Sequence, residues 1–355
     1  GLQDFRPHQQ EIIERLIDGG DAFVLMPTGG GKSLCYQLPA LHRPGLAIVV
    51  SPLISLMKDQ VDALRANGVR AAMYNSNLNA GEAREVLEAL HSGELDLLYV
   101  APERMMRPGF LHSLESMQVA LIAIDEAHCV SQWGHDFRPE YVALGELREQ
   151  FPGTPFIALT ATADPQTRED IVGVLRLQDA QRFVTSFDRP NIRYTVLEKH
   201  RPQAQLVRFL NEREEESGIV YALSRKRTEE VADHLADRGF SAAAYHAGLN
   251  ADVRRDVQER FLRDEVSIVV ATVAFGMGID RSNVRFVIHA GAPRSPEHYQ
   301  QESGRAGRDG LAAECVLIYS GSDFIRWRQM LEANGEMTDS ARTLLRDMER
   351  YAAGT

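Results

Sequence analysis

Short, continuous runs of apolar residues recur along this chain, with stretches of helical periodicity between them. Continuous apolar runs, unlike alternating ones, are typical of parallel strands that are buried on both faces. The pattern therefore predicts a doubly wound α/β fold with a parallel sheet. In the first half we predict strands at residues 23–26, 46–50, 97–100, 121–125 and 156–160, and helices at 53–66, 79–91 and 165–175.

The pattern restarts after a proline-containing break, SFDRPN, at residues 186–191. A chain of 355 residues is too long for one typical compact core and fits two domains better. We predict a first domain at 1–187, a second at 188–322, and a helical segment at 323–355 that begins a truncated further module. The second set of predicted strands comprises residues 218–223, 242–246, 268–272, 286–289 and 315–319.

The composition argues against a membrane protein and a zinc protein, and it leaves nucleic-acid binding open. With 44% apolar and 25% charged residues the chain is an ordinary globular protein, and it has no apolar run that could span a membrane. Cys35, Cys129 and Cys315 are too far apart for a C-x-x-C metal pattern, so we expect reduced, buried thiols and no zinc. The net charge of −11 argues weakly against nucleic acid, although a local basic groove could still hold a phosphate backbone.

The segment LMPTGGGKSLCYQ, residues 25–37, predicts a phosphate-binding loop between a strand and a helix that begins near Lys32. Its glycines let backbone N–H groups turn toward an anion at the positive end of that helix. Lys32 is suited to the β- and γ-phosphates, and the hydroxyl of Ser33 to Mg²⁺. Met26 replaces only the strand-end glycine of the usual pattern. The alternative is a glycine-rich turn with an incidental Lys-Ser pair. The predicted nucleotide-binding residues of the loop are Thr28, Gly29, Gly30, Gly31, Lys32 and Ser33.

A second motif, LIAIDEAH, places two carboxylates at the end of an apolar strand. Asp125 is suited to hold Mg²⁺, and Glu126 to orient and deprotonate an attacking water. A solvated loop could also carry two acidic residues. The two motifs together favour a nucleotidase.

The motifs along the chain resemble those of superfamily-two helicases, in the same order. They are PTGGGKS, SPLISLMKDQ, APER, DEAH, TATA, ATVAFGMGID and QESGRAGRDG, which start at residues 27, 51, 101, 125, 160, 271 and 301. CVSQWGHDFRPEY, residues 129–141, resembles the aromatic-rich loop of the RecQ family, and FRPHQQ, residues 5–10, its adenine motif. The resemblance implies two RecA-like domains in tandem, with a nucleotide cleft between them and ATP and Mg²⁺ as ligands.

For the nucleotide, the resemblance implies that Arg6 and Gln9 contact adenine, with Leu2 where the family usually has a stacking aromatic residue. It also implies that Arg305 and Arg308 of the second domain face the γ-phosphate, supported by Gln301. Arginine suits this task because its planar fork pairs with phosphate oxygens. The alternative is a solvated basic turn.

For DNA, the resemblance implies a stacking loop and two sets of backbone contacts. Aromatic rings and arginine are suited to unpaired bases, although both rings of the loop could instead be buried anchors. Short polar side chains at strand ends suit phosphates. The loop residues are Gln132, Trp133, His135, Phe137 and Arg138; the backbone contacts are Ser51, Pro52, Arg104, Ser224, Arg225, His246 and Thr272; and His128, Thr160 and Thr162 would couple the two sites.

The function that the resemblance implies is an ATP-dependent DNA helicase that moves 3′→5′ on single-stranded DNA and unwinds duplexes in DNA repair and recombination. We expect a monomer of the bacterial cytoplasm, associated with the nucleoid, that binds single-stranded and partly duplex DNA. Three alternatives stay open: an RNA helicase, a nucleic-acid clamp that does not unwind, and a nucleotide switch without nucleic acid.

Overall fold

The computed structural model describes residues 4–131, 137–186, 188–213, 215–276 and 281–354. The chain folds into two compact units, Gly1–Phe187 and Asp188–Thr355.

Within the described residues, the first unit has a seven-stranded parallel sheet in the order β3-β4-β2-β5-β6-β1-β7. Its central strands are buried along their whole length, as expected where helices cover both faces of a parallel sheet. The strands are β1 (Ala22–Leu25), β2 (Leu46–Val50), β3 (Ala71–Tyr74), β4 (Leu97–Val100), β5 (Val119–Ile124), β6 (Phe156–Thr160) and β7 (Gln181–Val184).

Local sequence determines where the helices of the first unit begin. Asn79 and Glu82 form a capping box at the start of α4, and the Asp164 side chain accepts the Thr167 N–H at the start of α9. The helices are α1 (Gln9–Ile17), α2 (Leu34–His42), α3 (Ile54–Ala66), α4 (Ala80–His91), α5 (Pro102–Met105), α6 (Pro108–Glu115), α7 (Pro139–Ala143), α8 (Leu147–Gln150) and α9 (Pro165–Val174).

In the described part of the second unit, a six-stranded parallel sheet has the order β10-β11-β9-β12-β13-β8. Two apolar clusters fill its faces, one around Phe275 and one around Phe286. The strands are β8 (Ile192–Glu198), β9 (Gly218–Tyr221), β10 (Ala242–Tyr245), β11 (Ile268–Ala271), β12 (Phe286–His289) and β13 (Ala313–Tyr319).

The last two helices of the second unit pack on its sheet. Phe324, Leu345 and Met348 form an apolar cluster with Ala292 and Tyr299, so these helices belong to the unit's own core. The helices are α10 (Pro202–Asn211), α11 (Arg225–Ala236), α12 (Ala251–Leu262), α13 (Pro296–Ser303), α14 (Gly321–Ala333) and α15 (Asp339–Ala353).

The two sheets have the same strand order once each is numbered from its own first strand. The order 3-4-2-5-6-1 of the first unit corresponds to 10-11-9-12-13-8 of the second, and β7 is an extra edge strand beside β1. Thus β8 is the counterpart of the phosphate-loop strand β1, and β12 is the counterpart of β5. The predicted doubly wound α/β class is confirmed.

None of the helices in the described ranges combines the length and the apolar composition needed to cross a bilayer.

Candidate nucleotide and nucleic-acid sites

The predicted phosphate loop joins β1 to α2 at the carboxyl edge of the first sheet. Gly29 and Gly31 have φ angles of +77° and +82°, a left-handed conformation that glycine adopts without steric strain. The side chain of Met26 is buried with Val24 and Cys35 in one apolar cluster. The residue that departs from the usual pattern is therefore part of the core. Thr28 and Ser33 are half-buried within the loop, and α2 begins at Leu34, two residues after Lys32.

The ammonium group of Lys32 lies inside the curve of the loop. Its Nζ atom donates to the carbonyl oxygens of Met26 at 3.1 Å and Pro27 at 3.3 Å. These neutral acceptors hold a cation at the centre of a glycine-rich turn. An anion such as a phosphate is a stronger acceptor for that cation than a carbonyl.

Gln9 connects the predicted adenine motif directly to the phosphate loop. Its Nε2 atom donates to the carbonyl oxygen of Gly31 at 3.0 Å, and its Oε1 atom accepts the N–H of Arg6 at 2.8 Å. Gln9 is only 3% exposed. Its amide retains a second N–H and a second lone pair, so it can still bind a base edge. Sequence reasoning missed this link, which joins residues 22 positions apart. Leu2 lies outside the described residues.

The two carboxylates follow β5 at the same edge of the sheet. Burial and the nearby Glu126 together raise the pKa of Asp125 to about 7, and Lys32 opposes the rise. The ammonium and the carboxylate are therefore close enough to interact. Glu126 has a φ of +48°, which is uncommon for a residue with a side chain and turns the chain sharply after the strand.

His128 joins the carboxylates to the neighbouring strand β6. Its Nδ1 atom is 2.9 Å from Oγ1 of Thr160 and 3.3 Å from Oε2 of Glu126. Oγ1 of Thr160 donates to the carbonyl of Thr162 and accepts the Thr162 N–H. Because the Thr160 hydroxyl donates its proton to the Thr162 carbonyl, its oxygen can only accept from His128. Nδ1 of His128 is therefore assigned as the protonated nitrogen. The three predicted coupling residues thus form one buried hydrogen-bonded chain.

The described end of the aromatic-rich loop is attached to both candidate sites. Tyr141, which is fully buried, donates its hydroxyl to the carbonyl of Asp125 at 2.9 Å. Nη1 of Arg138 donates to the carbonyl of Pro52 at 3.3 Å. Phe137 is exposed, whereas Gln132, Trp133 and His135 lie outside the described residues.

The backbone-contact candidates of the first unit follow the adjacent strands β2 and β4. The hydroxyl of Ser51 is buried and has no hydrogen-bond partner among the described residues. The guanidinium of Arg104 lies 5.1 Å from the ring centre of Tyr74, which is cation–π distance.

The candidates of the second unit follow β9, β10 and β11, the counterparts of β2, β3 and β4. Ser224 caps α11 by accepting the Arg227 N–H. His246 is buried and bonded to Glu229 at 3.0 Å and to the Gly248 N–H at 3.2 Å, so it is held in one orientation. Thr272 donates its N–H to the carbonyl of Tyr245. Arg225 is the first residue of α11.

The predicted phosphate-sensing arginines follow α13 in the second unit. Arg305 is 5% exposed, and Arg308 and Gln301 are half-buried. Burial raises the pKa of Tyr221 to about 12, and Arg305, which acts on the same phenol, opposes the rise. Sequence reasoning missed a buried contact beside these residues: Nε2 of His289 lies 2.7 Å from Oε2 of Glu302.

The described residues contain no cluster of three or more His, Cys, Asp or Glu side chains arranged for a metal ion. The thiols of Cys35, Cys129 and Cys315 are all buried.

Comparison with known proteins identifies two helicase domains. The DEAD/DEAH box helicase family matches residues 6–171, and the helicase conserved C-terminal domain matches residues 201–310. A helicase structure from Mycobacterium smegmatis, Lhr bound to ssDNA and AMP-PNP, has a similar fold. Its TM-score is 0.70 at 21% identity, over 91% of this chain and 47% of that one.

Two curated relatives are much closer in sequence, and both are called ATP-dependent DNA helicase RecQ. The protein from Haemophilus influenzae is 54% identical over 93% of this chain and 53% of its own length. The protein from Bacillus subtilis is 46% identical over 94% of this chain and 56% of its own length. The chain therefore spans about half the length of these relatives. With tandem RecA-like domains, both helicase family matches and this level of identity, the chain belongs to the RecQ helicase family, as a helicase core.

Proposed function

We propose that this chain is a DNA-stimulated ATPase that couples hydrolysis to 3′→5′ movement on single-stranded DNA and to duplex unwinding. One observation carries the proposal. Nδ1 of His128 lies 3.3 Å from Oε2 of Glu126, and the hydroxyl of Tyr141, at the end of the aromatic-rich loop, donates to the carbonyl of Asp125, so a path of contacts runs from the candidate hydrolytic pair to a loop suited to nucleic acid. A nucleotide switch that acts without nucleic acid would not need such a path.

In the proposed reaction Lys32 leaves its loop carbonyls for the β- and γ-phosphates, and Glu126 takes a proton from the attacking water. Mg²⁺, held by Ser33 and Asp125, would neutralise charge that develops on the phosphates. Gln9 and Arg6 bind the adenine. Arg305 and Arg308 of the second unit, supported by Gln301, stabilise the γ-phosphoryl group as charge spreads over its oxygens.

In the proposed movement, Ser51, Pro52 and Arg104 hold the DNA backbone for the first unit. Ser224, Arg225, His246 and Thr272 hold it for the second unit. The aromatic-rich loop, with Trp133 and Phe137, stacks on unpaired bases. Alternating the two grips through the nucleotide cycle steps the protein along one strand.

DNA is favoured over RNA because the relatives that match most of this chain are DNA helicases by name. We further propose a monomer that works at the bacterial nucleoid on single-stranded and partly duplex DNA during repair and recombination. Binding of zinc is not part of the proposal.

The test compares ATP hydrolysis with no polymer, with single-stranded DNA and with RNA. We expect strong acceleration by DNA alone. Equal acceleration by RNA would favour an RNA helicase, and no acceleration would favour a nucleotide switch. The second step compares strand release from 3′-tailed and 5′-tailed duplexes. Release of the 3′-tailed substrate only is expected, and no release from either would favour a clamp. Glu126→Gln serves as the inactive control.

A further inference from the structure

The last residues of β9 and β12 carry rings that stack on each other. Tyr221 and His289 stand opposite in the register of these neighbouring strands. Their ring centres are 5.2 Å apart, and the ring planes differ by 21°. The ring of Tyr299, on α13, packs edge-on against the imidazole with centres 4.9 Å apart. Two aromatic contacts therefore fix the plane of His289.

The fixed imidazole is bonded to a buried carboxylate near the end of α13. Nε2 of His289 lies 2.7 Å from Oε2 of Glu302, and these residues are 1% and 5% exposed. Nδ1 of His289 is buried without a hydrogen-bond partner among the described residues. A proton on Nδ1 would therefore be unsatisfied, and the ring is assigned as the neutral tautomer in which Nε2–H donates to Glu302.

Glu302 also lies close to Arg305, one of the two arginines that we propose for the γ-phosphate. The Arg305 N–H donates to the carbonyl oxygen of Glu302 at 3.3 Å. Both side chains act on one phenol: burial is the main cause that raises the pKa of Tyr221 to about 12, Arg305 opposes the rise, and Glu302 adds to it. A neighbouring carboxylate and guanidinium commonly form a charge-assisted, two-point ion pair. Without another partner, Glu302 would therefore be expected to bind Arg305.

The contacts in this unit show a different arrangement. Glu302 is bonded to His289, whereas Nε of Arg305 is buried without a hydrogen-bond partner among the residues that the structure describes. A guanidinium held by a carboxylate of its own unit must give up that bond before it binds a phosphate, and breaking a buried charge pair is costly. The contact between His289 and Glu302 thus leaves Arg305 with a donor to offer an anion.

Resting on the proposed function, in which Arg305 stabilises the γ-phosphoryl group, we infer that His289 is a positioning residue for ATP hydrolysis. It holds the carboxylate of Glu302 at the end of β12 and so keeps the guanidinium of Arg305 from pairing within its own unit. His289 touches neither ATP nor the attacking water, and it acts through Glu302.

His289→Leu removes the donor to Glu302 and keeps an apolar side chain of similar size. We expect Glu302 to pair with Arg305, and kcat for DNA-stimulated ATP hydrolysis to fall about tenfold, because an arginine that stabilises developing charge acts in the transition state. KM for ATP should stay within about twofold. His289→Gln, whose amide can donate from nearly the position of Nε2, should keep kcat within about threefold of the unmutated value. Steady-state kinetics of the whole chain measure these quantities.

Glu302→Gln in the His289→Leu protein distinguishes positioning from structural support. It removes the charge that competes for Arg305, so we expect the double variant to recover kcat to within about threefold of the unmutated protein. Two changes that only damaged packing would both lower kcat. The matched control is Glu314→Gln in the same background, which removes a half-buried carboxylate bonded to Arg213 in the same unit. The control should recover no activity.

Thermal melting of each variant checks the fold. If His289→Leu does not fold, His289→Asn takes its place, because its amide is polar but too short to reach Glu302. Failure of Glu302→Gln to recover kcat in the folded background, or equal recovery by Glu314→Gln, would overturn the inference.

The remaining outcomes separate this inference from the proposed function. Unmutated protein that DNA does not accelerate would overturn both proposals. Unchanged kcat in Arg305→Ala would remove Arg305 from the proposed reaction and overturn the inference with it. A loss of kcat in Arg305→Ala, together with no recovery by Glu302→Gln, would overturn only the positioning role of His289.

Discussion

Nδ1 of His128 and Oγ1 of Thr160 lie 2.9 Å apart and connect two adjacent strand ends, one of which carries the acidic pair. Thr160→Val removes this bond and both Thr160–Thr162 bonds while it nearly preserves volume. We expect ATP turnover with single-stranded DNA to fall about tenfold, and turnover without DNA to fall less, because His128, Thr160 and Thr162 are proposed to couple the two sites. ATP hydrolysis measured with and without DNA checks this. Thr195→Val on β8 is the control, and an equal fall in both conditions would count against coupling.

Lys32→Ala removes the cation from the phosphate loop. We expect turnover to fall at least about 100-fold, because no other side chain of the loop can neutralise phosphate charge. Binding to single-stranded DNA should stay within about twofold, since Lys32 belongs to no candidate DNA contact. Fluorescence anisotropy and phosphate release measure the two effects. Lys58→Ala, an exposed lysine on α3, controls for the loss of charge. Loss of both activities together would indicate that the fold was damaged.

Gln9→Ala removes the side chain that bonds to Gly31. We expect KM for ATP to rise about tenfold, and the preference for ATP over GTP to be lost, because adenine then has no paired donor and acceptor. Steady-state kinetics with both nucleotides measure this. Gln10→Ala alters the exposed neighbour on the same helix and should leave both values unchanged. A rise in KM that is equal for ATP and GTP would show that Gln9 supports the loop without reading the base.

Gly31→Ala tests how tightly the adenine motif packs on the loop. A Cβ atom at Gly31 would lie 2.3 Å from Nε2 of Gln9, and the φ angle is already left-handed. The left-handed conformation alone costs a residue with a side chain about 1–2 kcal/mol. Gly93 has a φ of +70°, and a Cβ atom added there would meet nothing within 4 Å. Gly93→Ala therefore measures the cost of the left-handed conformation alone. We expect both variants to melt at lower temperature and only Gly31→Ala to lose ATP affinity. Calorimetry and nucleotide titration distinguish them.

The cysteines should be unreactive in the folded protein. Burial raises the pKa of Cys35 to about 12, and all three thiols are buried. Because a raised pKa reduces the thiolate fraction at pH 8, we expect Ellman's reagent to find fewer than one reactive thiol per native chain. Three should react in denaturant. A native count of one or more would contradict the burial of these side chains.

The buried strands were predictable because short, continuous apolar runs are typical of parallel strands that are buried on both faces. Residues 46–50, 97–100, 156–160 and 286–289 match β2, β4, β6 and β12 from end to end. The missed strands have weaker patterns. β7 and β8 lie at sheet edges, where most of their residues are exposed and polar residues interrupt the apolar run. β3 is a short run containing two alanines, which have little preference for strands.

The candidate site was predictable wherever one short motif supplies the chemistry, as for Lys32 and Asp125. The contacts that orient these residues were not predictable. Gln9 meets Gly31, and Tyr141 meets Asp125, only after separate strands and helices have assembled. No local pattern specifies such pairs, since they depend on tertiary packing.

The outer strand of the first sheet has a mechanical consequence for the phosphate loop. Among the described strands, β1 is hydrogen-bonded to β6 on one side and to β7 on the other, whereas its counterpart β8 has only β13. Force applied to the loop is therefore shared between two ladders, and the strand behind it cannot peel from an edge. In the first unit the strand before the phosphate loop is therefore hydrogen-bonded along both of its edges. In the second unit the corresponding strand is hydrogen-bonded along one edge only.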